Sequence, residues 1–404
     1  MFLTRLFPAL AVANYRLYWV TQLIALMGFW IQLTAQQWLV YEMTGSTLRL
    51  GFLATVQFTP SLLFTLLAGW FIDRHNKRLI LAGTQFFYMV QALSLALLLW
   101  SGHASYGTLL CFAFLLGTID AFDMPARLAF LPELVGKDRL HSAVSLNSAN
   151  FNITRMAGPV LAAWLLTVTS YGGVFFLNAL SLVPILYIYL TMNVTEPPLI
   201  PKKTRPLEEI REGLKEALSN RVIRDNLAAL AIVSMCILNF GIYGPPFADR
   251  ILHLGLSGFS AILSAVGAGS LAAGLFSASG WHAKGPFVLP VTGLLCGLLL
   301  MIVSQVTLLV PALLLFALLG VLIILFMVHC NTAVQLASPP ACLGRIMSLY
   351  TLVFLGSAPF GSLLVSSAIE WLGTAGGLFA TGLTECVLLL FLFRKKLLTL
   401  PLRR

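Results

Sequence analysis

GWFIDRHNKR, residues 69–78, lies between two long apolar runs, one closing at Gly69 and the next opening at Leu79. A turn this short, carrying Asp73, Arg74, Lys77 and Arg78, holds two membrane helices as an antiparallel pair. It also sets the side on which they turn, because short loops rich in Lys and Arg stay in the cytoplasm. Asn76 follows His75 at the tightest point, and Asn tolerates a left-handed backbone better than other residues after Gly. An ordinary basic hairpin would read the same way, so the rest of the chain has to decide.

Composition removes the soluble classes. Hydrophobic residues make up 59% of the 404-residue chain and charged residues 10%, with a mean hydropathy of +0.91. A spanning helix needs about 20 apolar residues, which leaves room for about twelve spans joined by short loops. The net charge of +10 is no nucleic-acid footprint, because the basic residues sit at helix ends. Cys111, Cys236, Cys296, Cys330, Cys342 and Cys386 lie in or beside apolar stretches and never at CxxC spacing. Neither a disulfide framework nor a zinc site is indicated, and no cofactor is expected. The opening MFLTRLFPALAVANYR has no small-residue cleavage site, and the apolar run after it is too long for a signal peptide. It reads as a retained first span.

The apolar segments predict an all-α polytopic membrane protein with twelve spans, near 16–41, 48–72, 78–100, 105–126, 140–168, 173–192, 225–248, 257–281, 286–306, 309–332, 344–369 and 374–394. With the N-terminus inside, every Lys and Arg except Arg49, Arg155 and Arg250 falls on the cytoplasmic side or at its edge, 22 of 25. That asymmetry predicts an even number of spans and two cytoplasmic termini. The domains expected are a six-helix half over 1–192, a linker over 193–224 and a second six-helix half over 225–404. Within the linker Leu207, Ile210, Leu214 and Leu218 recur at helical spacing among Glu and Arg. They predict an amphipathic helix lying at the cytoplasmic interface, with a binding helix for a soluble partner as the alternative. The halves look like copies: Met156-Ala157-Gly158-Pro159 is echoed by Gly356-Ser357-Ala358-Pro359 about 200 residues later. Internal repeats of this kind build transporters whose substrate site lies near the bilayer midplane.

Four stretches carry a resemblance over nearly the whole chain. They are WLVYEMTGS at 38–46, the 69–78 loop, AFDMPARLAFLPELV at 121–135 and LGRIMSLYTLVFLGSAPFG at 343–361. Together they resemble the enterobactin-exporter-like branch of the major facilitator superfamily, which also holds macrolide efflux proteins. Gly69, Asp73, Arg74, Lys77 and Arg78 match the superfamily's loop between helices 2 and 3. The resemblance implies the major facilitator fold and proton-coupled export of a small molecule, such as a siderophore or drug, by alternating access. It also implies a bacterial inner-membrane location. One departure stands out. Drug–proton antiporters of the superfamily carry Gly-Pro-x-x-Gly-Gly in helix 5, whereas Val160, Leu161, Ala162 and Ala163 follow Gly158-Pro159 here.

Asp120, Asp123 and Arg127 fall within one arc of helix 4. Asp123 and Arg127 lie toward the cytoplasmic end, near Asp73 and Arg74, where a charge cluster can latch the halves in the outward-open state. A static i,i+4 pair is the plainer alternative. Asp120 lies deeper and is the first candidate for a proton carrier, a carboxylate alternating between protonated and charged forms. Glu385 is similarly deep in helix 12 and is the second, although the resemblance implies that this helix is peripheral, which gives Glu385 a structural role as its plainer reading. Arg155 falls near the middle of helix 5, where a cation needs a partner or a wet cavity. It can pair with Asp120 or hold an anionic substrate. Asn147, Asn150 and Thr154 share an arc beside it and suggest a wet face.

Gln32 and Gln36 on helix 1, with Asn239 and Tyr243 on helix 7, sit near mid-depth and are substrate-binding candidates. Interhelical hydrogen bonding is their plainer role. A symporter, or a lipid transporter of the same fold, is the competing function. A membrane enzyme is not supported, since no HExxH or GxSxG lies in a span and there is no nucleotide loop. The partners expected are a small-molecule substrate, protons and the bilayer, with no nucleic acid, for a chain acting as a monomer.

Overall fold

A computed structural model describes residues 7–194, 214–278, 287–339 and 342–397. Every regular element among them is helical. In chain order these are α1 (Ala13–Thr44), α2 (Thr47–Ile72), α3 (Lys77–Trp100), α4 (Tyr106–Val135), α5 (Leu140–Val168) and α6 (Tyr171–Thr191). There follow α7 (Arg221–Arg250), α8 (Gly255–Ala278), α9 (Val288–Val303), α10 (Leu309–Ala337), α11 (Leu343–Gly356) and α12 (Ala358–Leu397). All-helical architecture is what a bilayer imposes, because backbone groups there have no water to bond and must pair within their own segment. Among the described residues nine helices are long and apolar enough to cross a membrane, and Val288–Val303 is a shorter apolar one. The run Leu343–Arg394 counts as one of the nine, although the chain turns inside it at Gly373, whose φ is +74°.

Short polar signals set the helix ends. Asn76 accepts from the Leu79 amide at 2.9 Å and starts α3. Ser105 and Thr108 form a reciprocal capping box at α4, and Ser170 caps α6. Asn76 has φ −61° rather than a left-handed value. It is retained as an N-cap, a role in which Asn is among the best residues. The amphipathic linker helix expected around Leu207 and Ile210 lies outside the described residues; from 214 a short helical piece runs to 219.

The chain forms two compact units. The first is Met1–Met43 with Val56–Lys203, and the second is Thr44–Thr55 with Thr204–Arg404. In the first, α3 packs against α4 and α6. Its core includes Tyr15, Tyr18, Tyr88, Phe130 and Tyr189. In the second, α8 lies along α10, α9 along α12, and α7 against α12 and α10. Glycines make the close crossings. A Cβ on Gly117 of α4 would come within 1.8 Å of the Gln57 carbonyl oxygen, and one on Gly269 of α8 within 1.8 Å of that of Ala317.

Three spans expected to be continuous are interrupted, among them 344–369, which breaks at Ser357 between α11 and α12. α6 breaks at Leu182, before Val183-Pro184. α7 breaks between Cys236 and Phe240, and side chains take over the freed carbonyls: Tyr243 Oη donates to Ile237 O at 3.0 Å and Asn239 Nδ2 to Met235 O at 2.7 Å.

Candidate functional site

The polar centre of the first unit lies between α3 and α4. Asp123 is buried, 4% exposed, and accepts from Thr84 Oγ1 at 2.7 Å and Gln85 Nε2 at 2.8 Å. Its other oxygen pairs with Arg127, one turn along α4. Tyr18, Tyr88 and Tyr189 lie close enough to Arg127 to interact with it electrostatically. One turn deeper, half-buried Asp120 accepts a hydrogen bond from Tyr88 Oη. The three charged residues that share an arc of α4 are thus gathered with a polar face of α3. They form one network around two carboxylates and one guanidinium. Asp123 is charge-compensated, whereas the partner of Asp120 is a neutral phenol.

The 69–78 loop lies at the same end of the unit but has its own partners. Lys77 pairs with Glu133 at 2.6 Å, tying the start of α3 to the last turns of α4. Arg78 donates to Met192 O at 2.6 Å at the end of α6. Arg74 lies over the Trp70 ring, 4.4 Å from its centroid. Asp73 is exposed and makes no ion pair with a described residue. The structure therefore does not bring Asp73 or Arg74 into the Asp123–Arg127 pair. Nor is there a close helix approach at Gly69: a Cβ there would meet nothing within 4 Å.

The amide candidates divide by partner. Gln32 is buried in a network that crosses three helices, accepting from Asn178 Nδ2 at 2.5 Å and donating to Gln91 Oε1 at 3.2 Å. Gln36, 1% exposed, has no hydrogen-bond partner among the described residues on either side-chain atom. Asn147 accepts from Tyr15 Oη at 3.2 Å, and Asn150 donates to Trp19 O at 2.9 Å. The arc expected to be wet is thus turned onto α1. Arg155, half-buried, is the next residue after Thr154, which bonds back to Asn150 O in its own helix. In the second unit Asn239 and Tyr243 serve the break in α7, and Ser362 Oγ reaches Asn239 Oδ1 at 3.4 Å. Glu385 is fully buried, and neither of its oxygens has a hydrogen-bond partner among the described residues. It lies over Gly297 of α9, where a Cβ would come within 3.0 Å of Oε2.

Sequence reasoning passed over Thr84, Gln85, Tyr88 and Gln91. Their signal was present, since polar residues at i, i+1, i+4 and i+7 mark one face of a helix that is otherwise apolar. Tyr18 and Tyr189 had no such mark. An aromatic residue in a span reads as lipid-facing or core until its neighbours are known.

A family model described as a transmembrane secretion effector matches residues 4–402. The chain is 29% identical to the staphyloferrin A transporter of Staphylococcus aureus over 49% of its own length and 50% of that protein's. It is 22% identical to macrolide efflux protein A of Streptococcus pyogenes over 56% and 55%. These matches thus span about half the length of the curated relatives. Among solved structures, a bacterial homologue of the human lysosomal transporter Spinster, inward-facing and unoccupied, superposes with a TM-score of 0.72. The likeness covers 94% of this chain and 95% of that one at 14% identity, which establishes the fold and nothing finer.

Proposed function

Because the chain belongs to the transmembrane secretion effector family, an integral membrane family of transporters rather than enzymes, we propose that it exports a siderophore- or drug-like small molecule by proton-coupled alternating access. The observation that carries this is Asp120. It is a half-buried carboxylate within a spanning helix whose hydrogen-bond partner is the Tyr88 phenol rather than a cation. Ionisable groups inside the membrane are costly and persist where they serve transport or charge movement. A carboxylate beside a neutral donor can take and release a proton without breaking an ion pair. Asp123–Arg127, held by Thr84 and Gln85, keeps a fixed charge balance next to it and serves as the conformational latch together with the loop pairs of Lys77 and Arg78.

The substrate role goes to Arg155 and Gln36. Guanidinium binds a carboxylate through two parallel hydrogen bonds, which suits an anionic cargo. Gln36 carries a buried amide with donor and acceptor both available. Gln32, Asn147 and Asn150 hold the helices that present these groups, while Asn239 and Tyr243 close the break in α7. The Lys and Arg distribution supports cytoplasmic termini in a bacterial inner membrane.

The test is export measured in everted vesicles beside counterflow. Asp120→Asn should abolish uphill movement yet keep counterflow, which needs no net proton transfer. Retained uphill transport would remove Asp120 as carrier and turn attention to Glu385. Substrate driven out of everted vesicles by an imposed gradient, rather than into them, would favour the importer or symporter reading.

A further inference from the structure

Polar residues of α5 fall on two different arcs. Asn147, Asn150 and Thr154 belong to the arc turned onto α1, where Asn150 and Thr154 are fully buried. His141, Ser145, Ser148, Asn152 and Arg155 recur instead at spacings of four, three, four and three. At about 100° per residue they share an arc of about 80°, separate from the first. His141, Ser145 and Ser148 are exposed, and Asn152 and Arg155 are half-buried. Beyond Arg155 the same arc carries the apolar residues Pro159, Ala163 and Leu166. The polar strip therefore runs from the first turn of α5 to Arg155, about halfway along the helix, and stops there.

A third arc is apolar and exposed, with Ile153, Val160 and Trp164, and suits lipid. The polar strip does not. Ser145 Oγ donates to His141 O and Ser148 Oγ to Val144 O, each at 3.0 Å, and a serine bonded back in this way is tolerated in a spanning helix. Asn152 Nδ2 likewise donates to Ser148 O at 2.8 Å, but an amide has more donors and acceptors than that one bond uses. An Arg at the centre of a span costs about 2.5–3.5 kcal/mol in lipid, so such residues face protein or water. An exposed polar strip that ends on one is a surface in contact with water.

We propose that this strip is the aqueous approach by which an anionic cargo moves from His141 to Arg155, passing Ser145, Ser148 and Asn152. This rests on the substrate role given to Arg155 above, and two experiments separate the two claims. The first places single cysteines in a Cys111→Ser, Cys342→Ser background, since the other four thiols are buried. In everted vesicles, Ser148→Cys and Asn152→Cys should react with membrane-impermeant methanethiosulfonates, and Val160→Cys should not. After correction for reaction with a free thiol, a sulfonate-bearing reagent should outpace a trimethylammonium-bearing one at Asn152→Cys roughly tenfold, the low end of what a charged cleft adds to an encounter rate. Adding Arg155→Gln should remove that preference.

The second places a negative charge on the strip. Ser148→Glu should lower export of a carboxylate-bearing siderophore roughly tenfold at an unchanged melting temperature, through repulsion of a like charge, while Ser148→Gln exports as the parent does. Equal labelling of Val160→Cys and Asn152→Cys, the lack of any preference for the sulfonate, or full export by Ser148→Glu overturns the approach path. If the parent exports none of the siderophore, the transport reading is what fails, and the labelling arm still decides whether the strip is wet and draws anions.

Discussion

Tyr88 donates its phenolic hydroxyl to the Asp120 carboxylate, joining α3 to α4 through a bond between a neutral group and an ionisable one. The bond positions the carboxylate without supplying a compensating charge. Beside it, Asp123 satisfies its two oxygens with Thr84, Gln85 and Arg127. Two carboxylates one turn apart thus have different environments, and their variants should behave differently.

Tyr88→Phe removes the bond and leaves Asp120 in place. A hydrogen bond to a charged group contributes about 1.5–3 kcal/mol, so gradient-driven export should fall roughly tenfold or more while counterflow persists. The measurement is initial export rate in vesicles with and without an imposed proton gradient. Equal losses in both modes would assign Tyr88 to substrate contact instead.

Asp123→Ala strips Arg127 of its ion pair and leaves Thr84 and Gln85 without their acceptor. Removing one partner of a buried pair costs about 3–5 kcal/mol. The Arg127 side chain is 23% exposed, so the loss should lie toward the lower end. Thermal unfolding in detergent should show a lower Tm for Asp123→Ala than for Asp120→Asn. Pairing Asp123→Ala with Arg127→Met should recover part of the loss, because no uncompensated charge then remains.

Gln32 and Gln36, one turn apart on α1, should move stability in opposite directions. Gln32→Leu orphans Asn178 and Gln91 and should cost about 1–2 kcal/mol. Gln36→Leu replaces an amide with no hydrogen-bond partner among the described residues and should hold or raise the Tm. Ligand binding should weaken in Gln36→Leu all the same, since the amide it removes is the one available to a substrate. A stable Gln36→Leu protein with unaltered affinity would place the substrate contact elsewhere.

Gly69 and Gly269 should contrast just as sharply. A methyl at Gly269 would collide with the Ala317 carbonyl at the α8–α10 crossing, and overpacking of this kind costs about 1–3 kcal/mol. At Gly69 the space is open, so Gly69→Ala should fold as well as the parent. Melting curves of the two single variants measure both.

The helices and their short connections were legible in the sequence because each depends on local chemistry. Apolar runs of spanning length and the charged 69–78 turn act over a few residues, and the cap by Asn76 was not read from them. The arc of Asp120, Asp123 and Arg127 follows from helical periodicity alone. Partners do not. Periodicity places a side chain on a face but leaves open what that face meets, so the roles of Gln32 and Gln36 could not be told apart. The same limit hid the Asn147–Asn150 contact with α1 and the use of Tyr243 to close a break in its own helix. Arg250 donates to Gly45 O and Glu370 accepts from the Thr47 amide, each across more than 200 positions. Hydrogen bonds reach about 3 Å, so a pairing over that much sequence is decided by how the helices pack.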